Sequence, residues 1–270
     1  MISRFTNQTV WITGASSGIG EAIALAFARE GARLVLSSRR PQELERVRAA
    51  CERADQHVII PLDLEQAGTF PSVVCEVLAK TGGVDVLVNN GGLSQRSLAA
   101  DTPLAVERRL MEVDYFGPVA LSKALLPHFR ARRSGRIVVI SSVMGYVGTP
   151  MRSSYAAAKH ALHGYFDSLR AEVHRDGIGV LIVCPGYVST RVSENALTSS
   201  GERQGRSYRP SRRAISAERC ARAVLRGLAA RREEISVGGA EVNAIWLKRL
   251  FPWVFSRLVR RFDFGQPNAS

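Results

Sequence analysis

Tyr155 and Lys159 stand four residues apart in the run S-Y-A-A-A-K. On a helix that spacing sets both side chains on one face, about 6 Å apart. A phenol gives up its proton at roughly pH 10 unaided, and an ammonium beside it favours the phenolate. Such a pair suits proton transfer near neutral pH. Ser142 lies thirteen residues before Tyr155, at the end of the apolar run I-V-V-I-S-S, where its hydroxyl could hold a carbonyl beside the phenol. Taken alone, Y-x-x-x-K is also the pattern of a surface Tyr beside a solvated Lys, so the surroundings decide.

A second group of residues could hold a phosphorylated ligand near that pair. T-G-A-S-S-G-I-G runs from Thr13 to Gly20, directly after an apolar strand and at the opening of a helix, the context a glycine motif requires. Gly14 suits a tight turn, Gly18 lets backbone approach a pyrophosphate, and Gly20 allows close helix–strand contact. Ser16, Ser17 and Ile19 complete the loop, and the free N–H groups of the helix start face the same phosphates. The spacing is G-x-x-x-G-x-G rather than G-x-G-x-x-G, and without a ligand it would simply be a tight turn.

The second strand ends L-V-L-S-S-R-R, with Ser38 where a carboxylate would grip a ribose 2′-hydroxyl and Arg39 beside it. A guanidinium fork without a carboxylate suits a 2′-phosphate, which favours NADP(H) over NAD(H). The competing reading has Arg39 and Arg40 merely capping a loop. Asp63 and Leu64 follow the third strand, and Asn89, Asn90, Gly91 and Gly92 follow the fourth. Strand carboxyl ends line the ligand crevice of a doubly wound sheet. Asp63 there can accept from an adenine amine, and the glycines let a ligand lie against backbone.

The elements that must position these groups are short apolar runs alternating with helix-period stretches. Strands are predicted over 9–13, 33–38, 57–62, 84–88, 136–141, 179–184 and 234–237. Helices are predicted over 19–30, 42–54, 70–81, 105–132, 154–176 and 217–230. Near-continuous Val, Ile and Leu marks strands covered on both faces, and the alternation implies right-handed crossovers. The expected fold is α/β: a single doubly wound, parallel, seven-stranded Rossmann-like sheet with helices on both faces over residues 1–240. An amphipathic, helical, basic C-terminal tail follows over 241–270.

Cys51, Cys75, Cys184 and Cys220 lack metal-ligand spacing and read as buried free thiols in a reducing setting. The start of the chain has no secretory h-region, and no window reaches about 18 uninterrupted apolar residues. A cytoplasmic protein without a spanning helix is the expectation.

The formal net charge is +13, from 37 Lys and Arg against 24 Asp and Glu. Nucleic acid is a poor match, because no aromatic interleaving or binding motif accompanies the charge. Arg203, Arg206, Arg209, Arg212 and Arg213 crowd a long polar segment over 189–215. That segment reads as a lid or mobile loop, its charge either speeding capture of an anionic cofactor or simply solvated. In the tail, Leu247, Leu250, Phe251, Val254, Phe255, Leu258 and Phe262 recur at helical spacing, with Lys248, Arg249, Arg257, Arg260 and Arg261 elsewhere. Pro252 should bend or split it. The tail either lies on an anionic membrane surface as an interfacial helix or packs on protein over an apolar pocket.

Taken in order, T-G-A-S-S-G-I-G, N-N-G-G, S-S at 141–142, Y-A-A-A-K at 155–159 and P-G-Y-V-S-T at 185–190 resemble the short-chain dehydrogenase/reductase family over residues 5–239. The run D-Y-F-G-P-V-A-L-S-K-A-L-L-P is further similar to the branch of 11β-hydroxysteroid dehydrogenase and the dehydrogenase/reductase 7B type. The resemblance implies Tyr155 as acid for carbonyl reduction or base for alcohol oxidation. Lys159 would assist it and bind the nicotinamide ribose, and Ser142 would orient the carbonyl. The turn at Pro185 and Gly186 would bring Val188 and Thr190 to the carboxamide.

The family's fourth member, an Asn, is Asp114 here, in M-E-V-D-Y-F-G. Because an ionised Asp only accepts hydrogen bonds, it is either a tolerated isostere compensated by Lys159 or a weakened proton relay. The implied function is an NADP(H)-dependent oxidoreductase interconverting a carbonyl and a secondary alcohol on an apolar small molecule. The alternative is a catalytically weak or inactive NADP(H)-binding regulatory or membrane-peripheral protein. A homodimer or homotetramer through the two long central helices is also implied.

Overall fold

The central strands are apolar on both faces and send successive side chains to opposite sides. Val10 and Ile12 join one core with Leu34, Leu36 and Val88, while Trp11 between them joins the other with Val35 and Leu87. The computed structural model describes residues 4–190, 196–205 and 214–261. Arg206, Arg209, Arg212, Arg213 and Phe262, and with them residues 191–195 and 206–213 of the expected lid, lie outside the described residues.

In chain order the strands are β1 (Thr9–Thr13), β2 (Arg33–Ser37), β3 (Val58–Ile59), β4 (Val86–Asn89), β5 (Gly135–Ile140), β6 (Ile178–Pro185), β7 (Val188–Ser189), β8 (Ile215–Ser216) and β9 (Glu234–Val237). Seven of them form one sheet in the order β3-β2-β1-β4-β5-β6-β9, every neighbouring pair parallel. The order reverses direction between β1 and β4, which opens a crevice at the strand carboxyl ends. β7 and β8 make a separate short parallel pair.

The helices are α1 (Gly18–Arg29), α2 (Pro41–Ala50), α3 (Phe70–Thr81), α4 (Leu104–Met111), α5 (Gly117–Arg132), α6 (Ser153–Val173), α7 (Ala217–Ala229), α8 (Ala244–Leu250) and α9 (Pro252–Arg261). Ile23 and Phe27 of α1, Leu44 of α2 and Val224 of α7 cover one sheet face. Val74 of α3, Leu125 of α5 and Phe166 of α6 cover the other.

The helix expected over 105–132 is not continuous. A π-turn at Glu112–Phe116 separates α4 from α5. Pro118 has no N–H to give the Asp114 carbonyl four residues earlier, and a Cβ on Gly117 would lie 2.8 Å from the Leu64 carbonyl oxygen. The chain widens there and turns Asp114 fully inward.

One expectation about side-chain burial needs correction. Cys75 is exposed on the outer side of α3, while Cys51, Cys184 and Cys220 are buried; burial pushes Cys51 up to about 11 and Cys220 up to about 12. The tail splits at Pro252 as anticipated, and its apolar stripe is partly packed and partly exposed: Phe255 lies against the cluster of Val143, Val147 and Ile245. Ile245, outside that stripe, packs against Val143 and Val147, whereas Leu250, Phe251 and Leu258 are exposed.

Candidate active site

The carboxyl ends of β1, β2, β4, β5 and β6 open into one cleft of about 360 Å³. At its floor, Thr13 closes β1 and ties it to the turn after β4. Its hydroxyl accepts from the N–H groups of Asn90 and Gly91, both at 3.0 Å. Asn90 returns its side-chain amide to the carbonyls of Thr13 and Gly14, at 3.0 and 3.2 Å. Gly14 has φ +63°, and a Cβ there would meet Gly91 Cα at 2.7 Å. A Cβ on Gly20 would sit 2.3 Å from the Gly14 carbonyl oxygen, so Gly20 serves helix–turn packing and does not itself line the cleft.

The start of α1 is chemically open. Ser17 at its N-cap makes no side-chain capping bond, which leaves early N–H groups for an anion. Over this turn lies Arg40, whose Nη2 donates to the hydroxyls of Ser16 at 2.9 Å and Ser17 at 3.3 Å. Arg39 borders the cleft too, but its fork engages Glu65 at 3.3 Å, a carboxylate shared with Arg109 at 3.1 Å. Arg40, rather than the Arg39 that the sequence favoured for a 2′-phosphate, is thus the guanidinium that reaches the glycine turn. No local pattern signals that contact, which joins residues 24 apart. Open helix N–H groups, a bare glycine turn and two guanidinium groups fit the phosphates of a dinucleotide.

At the other end, α6 presents Tyr155 and Lys159 to the same cleft, opposite Ser142 and the Pro185–Gly186 turn. Lys159 Nζ lies 5.6 Å from the Tyr155 ring centroid. It donates to the Ile140 carbonyl at 3.3 Å and sits 3.5 Å from Asp114 Oδ2. Burial alone would lower the Lys159 ammonium, but Asp114 and Tyr155 outweigh it and hold it above its ordinary value. Burial raises the Asp114 carboxyl, against the opposing pull of Lys159 and of the Leu93 N–H, which donates to Oδ1 at 2.6 Å. Asp114 does not itself line the cleft and reaches it through Lys159 and Leu93, which do.

Ser142 caps a one-turn helix at Val143–Gly145, accepting from the Met144 N–H at 3.1 Å. Behind it, Ser141 Oγ lies 2.9 Å from His163 Nε2, and burial holds His163 below its ordinary value. A Cβ on Gly145 would meet that His163 nitrogen at 2.5 Å, so the turn is braced from below.

The other expected residues, Gly18, Ile19, Ser38, Asp63, Leu64, Val188 and Thr190, all border the cleft. Ser38 Oγ accepts from the Arg40 N–H at 3.1 Å. Sequence reading passed over Thr13, Ser94, Val113 and Arg40, which border it as well.

The doubly wound sheet, the glycine turn and the Tyr–Lys pair are the marks of a family, and the chain belongs to it. The sequence model of the short-chain dehydrogenases matches residues 8–200. Dehydrogenase/reductase SDR family member 7B of Mus musculus is 38% identical over 259 residues, covering 94% of this chain and 80% of its own length. A short-chain dehydrogenase from Streptomyces avermitilis superposes with a TM-score of 0.81 at 31% identity, covering 95% of this chain and 98% of its own. An alcohol dehydrogenase from the archaeon Thermococcus sibiricus, solved with 5-hydroxy-NADP, does so with a TM-score of 0.74 at 25% identity, covering 87% and 97%. The protein is an oxidoreductase of this family by descent and by fold.

Proposed function

We propose that the protein uses NADP(H) to interconvert a carbonyl and a secondary alcohol on an apolar small molecule, with Tyr155 as the acid or base. The observation that carries this reading is the convergence of Tyr155, Lys159 and Ser142 on the cleft bordered by the glycine turn. A bound dihydronicotinamide supplies the hydride. In the reducing direction the Tyr155 phenol gives its proton to the carbonyl oxygen while the Ser142 hydroxyl holds that oxygen in line. Lys159, charged and buried, stabilises the phenolate left behind. In the oxidising direction the phenolate takes the proton of the alcohol.

Val188, Thr190 and the Pro185–Gly186 turn would hold the carboxamide end, and Asn90, Gly91, Asp63 and Leu64 the ribose and adenine. Ser38, Arg39 and Arg40 carry no carboxylate of their own, and Arg40, whose fork lies over the glycine turn while Arg39 pairs with Glu65, would meet a 2′-phosphate. The neighbour bound to an NADP derivative supports the same choice. Arg40→Ala should raise the KM for NADPH by about tenfold and leave that for NADH little changed; initial rates with both cofactors and a panel of ketones test this. Equal use of the two cofactors by the unaltered protein would remove the NADP(H) preference.

One observation favours a second reading, in which the protein binds NADP(H) with weak or no turnover: the Asp114 carboxylate beside Lys159 offsets the charge that the phenol depends on. On the tail, the exposed Trp246, Leu250, Phe251 and Trp253, with Arg249 and Arg257 on the same two helices, would suit peripheral contact with anionic lipid. The outer faces of α5 and α6 would pair two or four copies.

A further inference from the structure

Arg152 occupies the N-cap of α6, one turn before Tyr155, a spacing that places both side chains on one face. Its Nη1 donates to the hydroxyl of Ser94, a buried residue that lines the cleft. The adjacent Gln95 makes this arrangement rigid. Gln95 Oε1 accepts from the N–H groups of Ser154 at 2.9 Å and Tyr155 at 3.3 Å. Its Nε2 donates to the hydroxyls of Ser97 and Thr102 at 3.2 and 3.0 Å. Residues 94–95 and the first turn of α6 therefore form one unit at the reacting end, remote in sequence from the Arg39 and Arg40 pair.

The guanidinium is largely buried. Among the described residues no carboxylate lies within ion-pair distance of it. Burial lowers its pKa, the phenol of Tyr155 opposes that, Arg96 adds to the lowering, and Tyr187 opposes it. A neutral hydroxyl does not compensate a buried cation. Arg152 meets the cleft through Ser94. Of the described residues lining the cleft the single carboxylate is Asp63, four residues after β3, against the cations Arg39, Arg40, Lys159 and Arg203. Apolar Leu93, Val106 and Leu197 cluster nearby.

We propose that Arg152 is a specificity residue that holds an anionic group, a carboxylate or phosphate monoester, carried by an otherwise apolar carbonyl substrate. Ser94 fixes the fork so that the remaining N–H groups meet the anion bidentately. The proposal rests on Tyr155 as the reacting group, since it assigns the substrate's orientation relative to that phenol. It changes nothing in the hydride or proton transfer.

The test is calorimetric titration of medium-chain carboxylates, monoalkyl phosphates and primary alcohols of equal length into the full chain with NADP+ present. Wild type should bind one or both anions about 10- to 100-fold more tightly than the alcohol, the two anionic arms deciding between carboxylate and phosphate. R152M should abolish that margin while leaving alcohol binding unchanged, and R152K should retain part of it. Should R152M fail to fold, R152K alone carries the test, because it keeps the charge and loses the fork. Equal binding of anion and alcohol by wild type overturns the proposal. So does a variant that weakens both ligands alike, which would make Arg152 a clamp for Ser94. Turnover of oxo acids beside their methyl esters separates the two readings: anion binding through Arg152 without reduction of either refutes the role of Tyr155 instead.

Discussion

At Lys159 burial and charge oppose each other, and the Asp114 carboxylate at 3.5 Å helps decide the outcome. Its charge and that of Tyr155 keep the ammonium protonated against desolvation, and the folded value of Lys159 is raised. Replacing Asp114 by Asn removes the carboxylate's contribution and leaves burial less opposed, so Lys159 loses its proton at lower pH than before. Asp114→Asn should therefore hold or raise kcat at neutral pH, and the alkaline fall of kcat should begin at lower pH than in wild type. A fall of about tenfold at neutral pH would show that the carboxylate carries a role of its own. Tyr155 and Lys159 were legible because helical spacing alone brings them together. Arg40 and Arg152 were not, since their meaning comes from contacts with Ser16, Ser17 and Ser94 that only the folded sheet creates.

At the scale of elements, the tail braces the site at two places. Glu241 Oε1 accepts from the Tyr187 N–H at 2.9 Å and the Gly239 N–H at 3.0 Å, and it leaves no room for a Cβ on Gly186. Further on, Lys248 Nζ donates to the Tyr146 carbonyl at 2.6 Å, and Ile245 packs on Val143 and Val147, directly after Ser142. Ile245→Ala should cost about 2 kcal/mol and raise the KM for the carbonyl substrate, measured by thermal melting and initial rates. A KM that stays put as stability falls would separate α8 from the Ser142 turn. The strand at 9–13 was readable because Val10, Trp11 and Ile12 make a short apolar run bounded by polar residues. The break at Glu112–Phe116 was written in Pro118, whose missing donor is a local signal, yet the surrounding helical periodicity hid it. β3 shrank because β2 pairs with it only at Val35 and Leu36.

Across the whole molecule 37 basic residues stand against 24 acidic ones, and the tail carries Lys248, Arg249, Arg257, Arg260 and Arg261. On α8 and α9, Trp246 is 61% and Trp253 63% exposed, and Arg257 stacks over Trp253 at 5.7 Å. Among the described residues no helix is long and apolar enough to cross a membrane, so any lipid contact would be from the surface. The full chain should co-sediment with anionic vesicles, lose that binding as salt is raised, and ignore neutral vesicles. Recovery in the supernatant under all three conditions would exclude lipid as the partner of this face. The doubly wound sheet was legible from strand–helix alternation, whereas the direction in which the tail presents its rings was not, because Pro252 divides it into two helices with different faces.

The central claim, that a phenol on α6 moves the proton, is tested most directly with Tyr155→Phe. NADPH fluorescence titration should show cofactor binding retained, while the rate of NADPH oxidation with a reducible ketone falls by about 100-fold or more. Turnover by the variant at the wild-type rate, with binding intact, would contradict the account.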